Sequence, residues 1–298
     1  MRSVAVGLVG ILWLPACVSE GAASADDLTV VTTTTIVGDL VRQVAGDEAA
    51  VEALVPAGAD PHEFQASAQQ AAMLRDADLI VTSGLGLEQG LEDVLEGAEG
   101  DGVSVLELGP SLDPRPLDPD AADGGLDPHW WLDPIRAAEA VGLVAERLQA
   151  IEDGDWVARA SAYAAELEAL DEEIQRAVAH VPAEHRKLVT SHESLGYFAD
   201  RYGFEVVGVL IPGGSTAAEP SAADFAALAE VIRREDVPAI FGEMTVSTGL
   251  SASLAEEVGR DVRVVVLYTE SLDGPGTPAD SYVGMMRTNL ERIVDALA

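Results

Sequence analysis

Cysteine and basic residues are scarce in this chain of 298 residues, and each scarcity excludes a class of protein. Cys17 is the only cysteine, so no disulfide can form within the chain and no disulfide framework supports the fold. The 17 Lys and Arg residues are outnumbered by 52 Asp and Glu residues, which gives a formal net charge of -35. Binding to nucleic acid requires basic residues that neutralise phosphates, so we expect no nucleic acid among the partners.

Hydrophobic residues, by contrast, make up 48% of the chain, which is enough to fill substantial cores. The length favours two domains of ordinary size. The strong acidity has two explanations. It can keep the protein soluble in a salty or cation-rich medium, or it can create an electrostatic field that concentrates cations near the surface. Because the acidic residues are spread along the whole chain, we favour the first explanation.

The N-terminus has the features of an export signal. Met1 and Arg2 precede an apolar run over 4–14, which is too short to span a bilayer as a mature helix. The run ends in LPAC over 14–17, which resembles a bacterial lipobox, the motif whose cysteine becomes the lipidated first residue. The alternative is an ordinary signal peptide cleaved near 23–25. We therefore expect a protein anchored to the outer face of the cytoplasmic membrane through Cys17, or otherwise a periplasmic or secreted protein.

Short β-branched runs alternate with helical stretches along the rest of the chain. This alternation is typical of open parallel sheets with helices on both faces. The predicted strands cover 28–33, 51–55, 78–82, 103–108, 187–190, 205–210, 239–241 and 262–267. The predicted helices cover 36–45, 67–77, 87–96, 133–151, 155–180, 195–202, 221–234, 250–258 and 280–298.

The helix predicted over 155–180 has no internal Gly or Pro and would be about 40 Å long. It separates the first four strands from the last four. We therefore predict an α/β fold in which two open parallel-sheet lobes are joined by a single long rigid helix. The boundaries that we expect are a signal peptide and spacer over 1–24, a first lobe over 25–153, a linking helix over 154–181 and a second lobe over 182–298.

Three of the five histidines lie in loops beside predicted strands or helices. His62 and His192 occupy strand-to-helix turns, where open α/β sheets place ligands, and His129 precedes a helix. Imidazole is the commonest neutral metal ligand, so these positions indicate a metal site. Zinc motifs that are local in sequence are absent, which means that any site must be assembled across the fold. We expect the other two, His180 and His185, to face solvent.

Four segments resemble, in order, the signature blocks of the zinc and manganese substrate-binding proteins of ABC importers, the TroA-like superfamily. The segments are ADPHEF over 59–64, DPHWWLDP over 127–134, TSHESLGYF over 190–198 and YTESL over 268–272. The resemblance implies two α/β lobes bridged by one rigid helix, with the metal bound in the cleft between the lobes. It implies metal ligands at His62 and His129 from the first lobe, and at His192 and Glu270 from the second.

The same resemblance implies a monomeric protein that is not an enzyme, and that passes a divalent metal ion to an ABC-transporter permease in the cytoplasmic membrane. A ligand set of three imidazoles and one carboxylate favours zinc, with manganese as the alternative. Manganese-selective members tend to have a carboxylate where this chain has His192. Two features depart from the common pattern: Glu270 stands where Asp is more frequent, and the loop over 109–127 has aspartates but no histidine.

Other functions require other features. A secreted zinc hydrolase would need an open coordination position and a general base, whereas a surface adhesin would need no metal. We expect Glu63 and Glu193, each next to a predicted ligand, to point away from the metal. For Glu243 two interpretations stay open, namely a place near the cleft and an ordinary acid at a helix entry. We expect Trp130 and Trp131 to pack around the second ligand loop.

Overall fold

The computed structural model describes residues 28–117, 125–213, 216, 220–245, 248–259 and 261–298. The predicted signal segment and Cys17 lie outside the described residues, as do residues 118–124 of the aspartate-containing loop. Within the described chain, no helix combines the length and the hydrophobicity needed to cross a bilayer.

Two four-stranded sheets form the framework, and every strand pair in them is parallel. The first sheet has the order β2-β1-β3-β4 and the second the order β6-β5-β7-β8. Their strands are β1 Leu28–Thr32, β2 Ala49–Ala53, β3 Leu79–Thr82, β4 Ser104–Glu107, β5 Lys187–Thr190, β6 Glu205–Val209, β7 Ala239–Glu243 and β8 Arg263–Leu267. In both sheets the second strand lies on one side of the first strand, and the third strand lies on its other side. Such a switch point opens a crevice at the carboxyl ends of the strands.

Helices cover the sheets, and side-chain caps fix where several of them begin. Ser67 and Ser221 each form a capping box, and the Asp133 carboxylate accepts a hydrogen bond from the backbone of Ile135. The helices are α1 Thr35–Ala45, α2 Ala68–Asp76, α3 Glu92–Gly100, α4 Pro134–Ile151, α5 Trp156–Val178, α6 Gly196–Tyr202, α7 Ala222–Glu235, α8 Thr248–Val258 and α9 Tyr282–Leu297. The predicted α/β class with two parallel sheets is therefore confirmed.

The largest difference between a predicted and an observed helix start is at α3. Helix α3 begins at Glu92, not at residue 87. The Glu88 carboxylate accepts hydrogen bonds from the backbone of Ser83 at 2.7 Å and of Gly84 at 3.1 Å, and from the Thr33 hydroxyl at 2.6 Å. These contacts fold the segment after β3 into a tight loop that ends in a 3₁₀ turn over Gln89–Leu91, so the apolar spacing there does not produce an α-helix.

Helix α5 has 23 residues, which corresponds to a length of about 35 Å. It packs against α1 and α4, which precede it, and against α6 and α9, which follow it. Its buried side chains Tyr163, Leu167 and Ile174 belong to one apolar core that extends from Leu28 to Leu297. A helix held along its length by both halves of the chain favours one fixed arrangement of the two sheets.

A buried ion pair attaches α5 to α6. The Arg201 guanidinium donates to Asp171 Oδ1 at 2.5 Å and Oδ2 at 2.7 Å, and the Tyr202 hydroxyl donates to Asp171 Oδ1 at 2.9 Å. These contacts outweigh the effect of burial and lower the pKa of Asp171. Asp171 is 4% exposed, and loss of its charge leaves the partly buried Arg201 with Asp133, 3.1 Å away, as its remaining ionised partner.

We predict that Asp171→Asn lowers the free energy of unfolding by about 3 kcal/mol, because it breaks this pair without replacing it. Thermal unfolding should then occur about 5–10 °C lower for a chain of this size. The matched control is Glu172→Gln, whose carboxylate is 72% exposed and pairs only along the helix with Arg176. Equal melting temperatures for the two variants would contradict a stabilising role for the Asp171 contacts.

Candidate metal centre

Four side chains that are distant in sequence lie together where the carboxyl ends of the two sheets face each other. His62 is in the loop after β2 and His129 in the loop after β4, while His192 follows β5 and Glu270 follows β8. One donor atom from each lies within 4.8 Å of the other three, and all four residues are buried. The fold therefore brings together the four residues that the sequence resemblance implies as ligands.

The distances in this cluster are short. His129 Nε2 lies 3.1 Å from His192 Nε2 and 3.3 Å from Glu270 Oε1. His192 Nε2 is 3.6 Å from Glu270 Oε1, and His62 Nε2 is 3.6 Å from Glu270 Oε2. Tetrahedral zinc with bonds of about 2.0–2.2 Å places its ligand atoms roughly 3.3–3.6 Å apart. These four separations therefore fit one small divalent ion, and the donor atoms of the cluster, one from each residue, lie within 4.8 Å of one another.

Asp127 holds the ring of His129. Its Oδ1 lies 2.8 Å from His129 Nδ1 and accepts the backbone N–H of His129 at 3.0 Å. A carboxylate on Nδ1 keeps the proton on that nitrogen, so the lone pair of Nε2 is directed into the cluster.

Glu243 holds the ring of His192. It ends β7, the strand that pairs with β5, and its Oε1 lies 2.7 Å from His192 Nδ1. Burial alone would lower the pKa of His192, but the Glu243 carboxylate, together with the charge of Glu270, outweighs that effect and raises the pKa to about 9 when no metal ion is bound. The 2.7 Å contact places the Nδ1 proton on the Glu243 side of the ring, so that Nε2 is the nitrogen that faces the cluster.

Glu270 and His62 have buried polar atoms without hydrogen bonds from the described residues. Both Glu270 carboxylate oxygens and both His62 ring nitrogens are in this condition. Burial alone would raise the pKa of Glu270, but attraction to the imidazoles of His129, His62 and His192 lowers it, so the carboxylate is ionised. An ionised, buried carboxylate surrounded by imidazole nitrogens is a favourable site for a cation.

Hydrogen bonds between the two halves of the chain surround the cluster. Trp131 Nε1 donates to the carbonyl of Thr269 at 2.7 Å, directly beside Glu270. Ser271 Oγ accepts the backbone N–H of Gly58 at 2.9 Å, in the loop that leads to His62. Both tryptophans of the second loop are buried, as expected, and the Trp131 ring contacts the His129 ring edge-on with centroids 5.5 Å apart. The cluster is therefore shielded from water.

The remaining candidates from the sequence lie elsewhere. Glu63 is exposed and Glu193 is half-buried, and neither belongs to the cluster. His180 and His185 are exposed, although His185 Nδ1 lies 2.9 Å from the carbonyl of Leu297. Sequence reasoning assigned no role to Asp127 and left Glu243 undecided. The position of Asp127 two residues before a predicted ligand was the only signal available for it.

This chain is similar to known metal-binding proteins over most of its length. The family model described as zinc-uptake complex component A, periplasmic, matches residues 30–296. The manganese-binding lipoprotein MntA of Halalkalibacterium halodurans is 31% identical over 95% of this chain and 93% of its own length. The zinc-binding protein TroA of Treponema pallidum is 35% identical over 94% of this chain and 92% of its own length.

Solved structures show the same relationship. The periplasmic zinc-binding protein TroA from Treponema pallidum has a TM-score of 0.85 and 34% identity, and the match covers 91% of this chain and 99% of that chain. A manganese-bound periplasmic metal-binding protein from Candidatus Liberibacter asiaticus has a TM-score of 0.81 and 25% identity, over 91% of this chain and 100% of that chain.

We predict that Glu243→Gln weakens metal binding about 10- to 100-fold, because the His192 ring loses the carboxylate that orients it. Competition with a chromophoric chelator measures the affinity. The control is Glu63→Gln, which removes an exposed carboxylate next to His62. An equal affinity in the two variants would show that Glu243 does not position His192.

Proposed function

The chain belongs to the zinc-uptake complex component A family, and on that premise we propose that it is the extracytoplasmic substrate-binding protein of an ABC importer. It captures a divalent transition metal and delivers the ion to a permease in the cytoplasmic membrane. The observation that supports this most directly is the buried cluster of three imidazoles and one carboxylate. We assign His62, His129, His192 and Glu270 as the four ligands of the transported ion.

Zinc is the ion that we propose. Three of the four donors are imidazoles, and nitrogen-rich tetrahedral sites suit zinc, whereas manganese prefers oxygen ligands and more of them. The separations of 3.1–3.6 Å between Glu270 and each imidazole and between His129 and His192 leave room for the short bonds of a tetrahedral ion. Glu270 extends far enough to approach all three imidazoles, so the longer carboxylate does not weaken this assignment.

Manganese is the second candidate, because a relative with 31% identity is a manganese-binding lipoprotein and a structural neighbour is manganese-bound. A carboxylate can bind through both oxygens, and neither oxygen of Glu270 accepts a hydrogen bond from the described residues. Bidentate binding by Glu270 would raise the coordination number toward the value that manganese prefers.

We propose that the site performs no catalysis. Four protein ligands fill a tetrahedral zinc, which leaves no position for a water molecule to be activated. Asp127 and Glu243, the carboxylates nearest to the imidazoles, already accept hydrogen bonds from His129 and His192, so neither is placed as a general base. These features disfavour the zinc-hydrolase alternative.

Release is proposed to occur by local rearrangement of the ligand loops when the protein docks on its permease. Helix α5 packs against both halves of the chain, which opposes a wide opening of the lobes. We keep the proposed division into a first lobe over 25–153, a linking helix over 154–181 and a second lobe over 182–298, with the monomer as the working unit.

We expect the purified protein to contain close to one zinc ion per chain and His129→Ala to lose most of it, because that variant removes the ligand nearest to two others. Elemental analysis of both proteins tests this. His180→Ala is the control, since it removes an exposed imidazole at the end of α5. The metal preference follows from a titration with both ions present.

Wild-type protein without stoichiometric zinc or manganese would contradict the proposed function. If an equal concentration of Mn²⁺ displaced the bound Zn²⁺, manganese and not zinc would be assigned as the transported ion. Retention of zinc by His129→Ala would remove that residue from the ligand set.

We also propose that Cys17 carries the lipid anchor. Cys17→Ser should move the protein from the membrane fraction to the soluble extracytoplasmic fraction, because no other attachment is expected from the sequence. Cell fractionation followed by immunodetection measures this. Ser19→Ala, in the adjacent spacer, is the control. An unchanged membrane fraction for Cys17→Ser would favour a different mode of attachment.

A further inference from the structure

Arg115 connects the candidate metal centre to the surface. It lies in the described part of the loop over 109–127, the loop that has aspartates but no histidine. Its guanidinium donates from Nη1 to Asp127 Oδ2 at 2.9 Å and from Nε to Asp200 Oδ2 at 2.7 Å. Arg115 thus pairs on one side with the fully buried Asp127 and on the other with an exposed carboxylate on α6.

The contacts of Asp127 divide between two partners. Oδ1 accepts two hydrogen bonds from His129, and Oδ2 accepts the bond from Arg115. The carboxylate plane is therefore fixed on the side away from the metal centre by Arg115. A continuous series of contacts runs from Asp200 through Arg115 and Asp127 to the ring of His129.

Neighbouring groups restrict this pair to one arrangement. The Tyr197 hydroxyl donates to the carbonyl of Asp127 at 3.0 Å and accepts the backbone N–H of Arg115 at 3.2 Å. Gly196 begins α6 directly against the pair, and a Cβ atom at that position would collide with both the Arg115 guanidinium and the Asp127 carboxylate. The absence of a side chain at Gly196 is what allows α6 to close over the pair.

We infer that Arg115 is a positioning residue for metal binding, which acts on the ligand His129 through Asp127. The inference rests on the proposed function, since it assigns His129 as a ligand. Asp127 is 0% exposed, and a buried carboxylate without a cationic partner is unfavourable in the orientation that holds the ring. Arg115 supplies that partner and fixes the second oxygen.

The orientation of His129 matters because its Nε2 is the donor with the closest neighbours, at 3.1 Å from His192 Nε2 and 3.3 Å from Glu270 Oε1. A rotation of the ring moves this nitrogen relative to both. Groups that orient a ligand histidine typically change metal affinity 10- to 100-fold. Arg115 is one contact further away than Asp127, so its removal should have an effect at the lower end of that range.

The test compares four forms of the full-length protein with wild type: Arg115→Ala, Asp127→Asn, the double variant and Arg159→Ala. Zinc affinity is measured by chelator competition, and the melting temperature of each metal-free protein is measured alongside. Arg159 is the matched control, because it is 27% exposed against 21% for Arg115 and pairs with Glu48 at 2.7 Å, away from the ligand loops.

We expect Arg115→Ala to bind zinc about 10-fold more weakly and Asp127→Asn about 10- to 100-fold more weakly. If Arg115 acts through Asp127, the double variant should bind no more weakly than Asp127→Asn, since the two effects are not additive. Arg159→Ala should lower the melting temperature but leave the affinity within about twofold of wild type. In ¹⁵N NMR spectra, the Nδ1–H tautomer of His129 should be less populated in Arg115→Ala.

Arg115→Lys keeps the positive charge but loses the planar guanidinium that donates to Asp127 and Asp200 from two nitrogens. This variant should therefore bind zinc with an affinity between those of wild type and Arg115→Ala. If Arg115→Ala does not fold, the affinity of Arg115→Lys tests the inference. Wild-type affinity in both Arg115 variants, or additive losses in the double variant, would overturn the inference while leaving the proposed function intact. A wild-type protein that binds no divalent metal would instead overturn the proposed function, and the inference with it.

Discussion

Burial of the Glu270 carboxylate among three imidazoles is the constraint on which the rest of the structure depends. Removing an ion from water costs several kcal/mol even after the protein relaxes, and neither oxygen of Glu270 accepts a hydrogen bond from the described residues. The imidazoles keep the carboxylate ionised. The chain therefore holds an ionised carboxylate in a buried cluster, where a divalent cation can replace the imidazole protons as its partner.

This constraint explains the contacts behind the imidazoles. An imidazole binds a metal through a nitrogen without a proton, so its other nitrogen must hold the proton. Asp127 and Glu243 accept that proton's hydrogen bond for His129 and His192. His62 has no such contact within the described residues, and its loop is held instead through the backbone of Gly58. The three histidines are consequently fixed in two different ways.

The packing of the two sheets follows from the same requirement. Two of the four clustered side chains come from each half of the chain, so the cluster exists only while the halves keep their separation. Helix α5 supplies a common apolar core, and hydrogen bonds such as Trp131 to Thr269 join the halves beside the ligands. Arg115 adds a contact between the loop before His129 and Asp200 on α6. Contacts between the halves are thus formed beside the cluster itself as well as along α5.

Local signals in the sequence determined most of the secondary structure. Ser67, Ser221 and Asp133 begin helices because their side chains accept backbone N–H groups a few residues away. The Glu88 carboxylate instead accepts a hydrogen bond from the backbone of Ser83, and there the local pattern predicted a helix start at residue 87, whereas α3 begins at Glu92. Periodicity carries no information about such a contact.

The sequence by itself also determined which four side chains were the candidates for the metal centre, because their blocks have recognisable order and composition. Only the tertiary structure decided what orients them. Glu243 reaches His192 because β7 pairs with β5, although 51 residues separate the two side chains. The pair of Arg115 and Asp127 is covered by α6, which packs against both residues because Gly196 has no side chain. Spacing along the chain cannot reveal these partners, since hydrogen-bond geometry depends on which strands and helices become neighbours after packing.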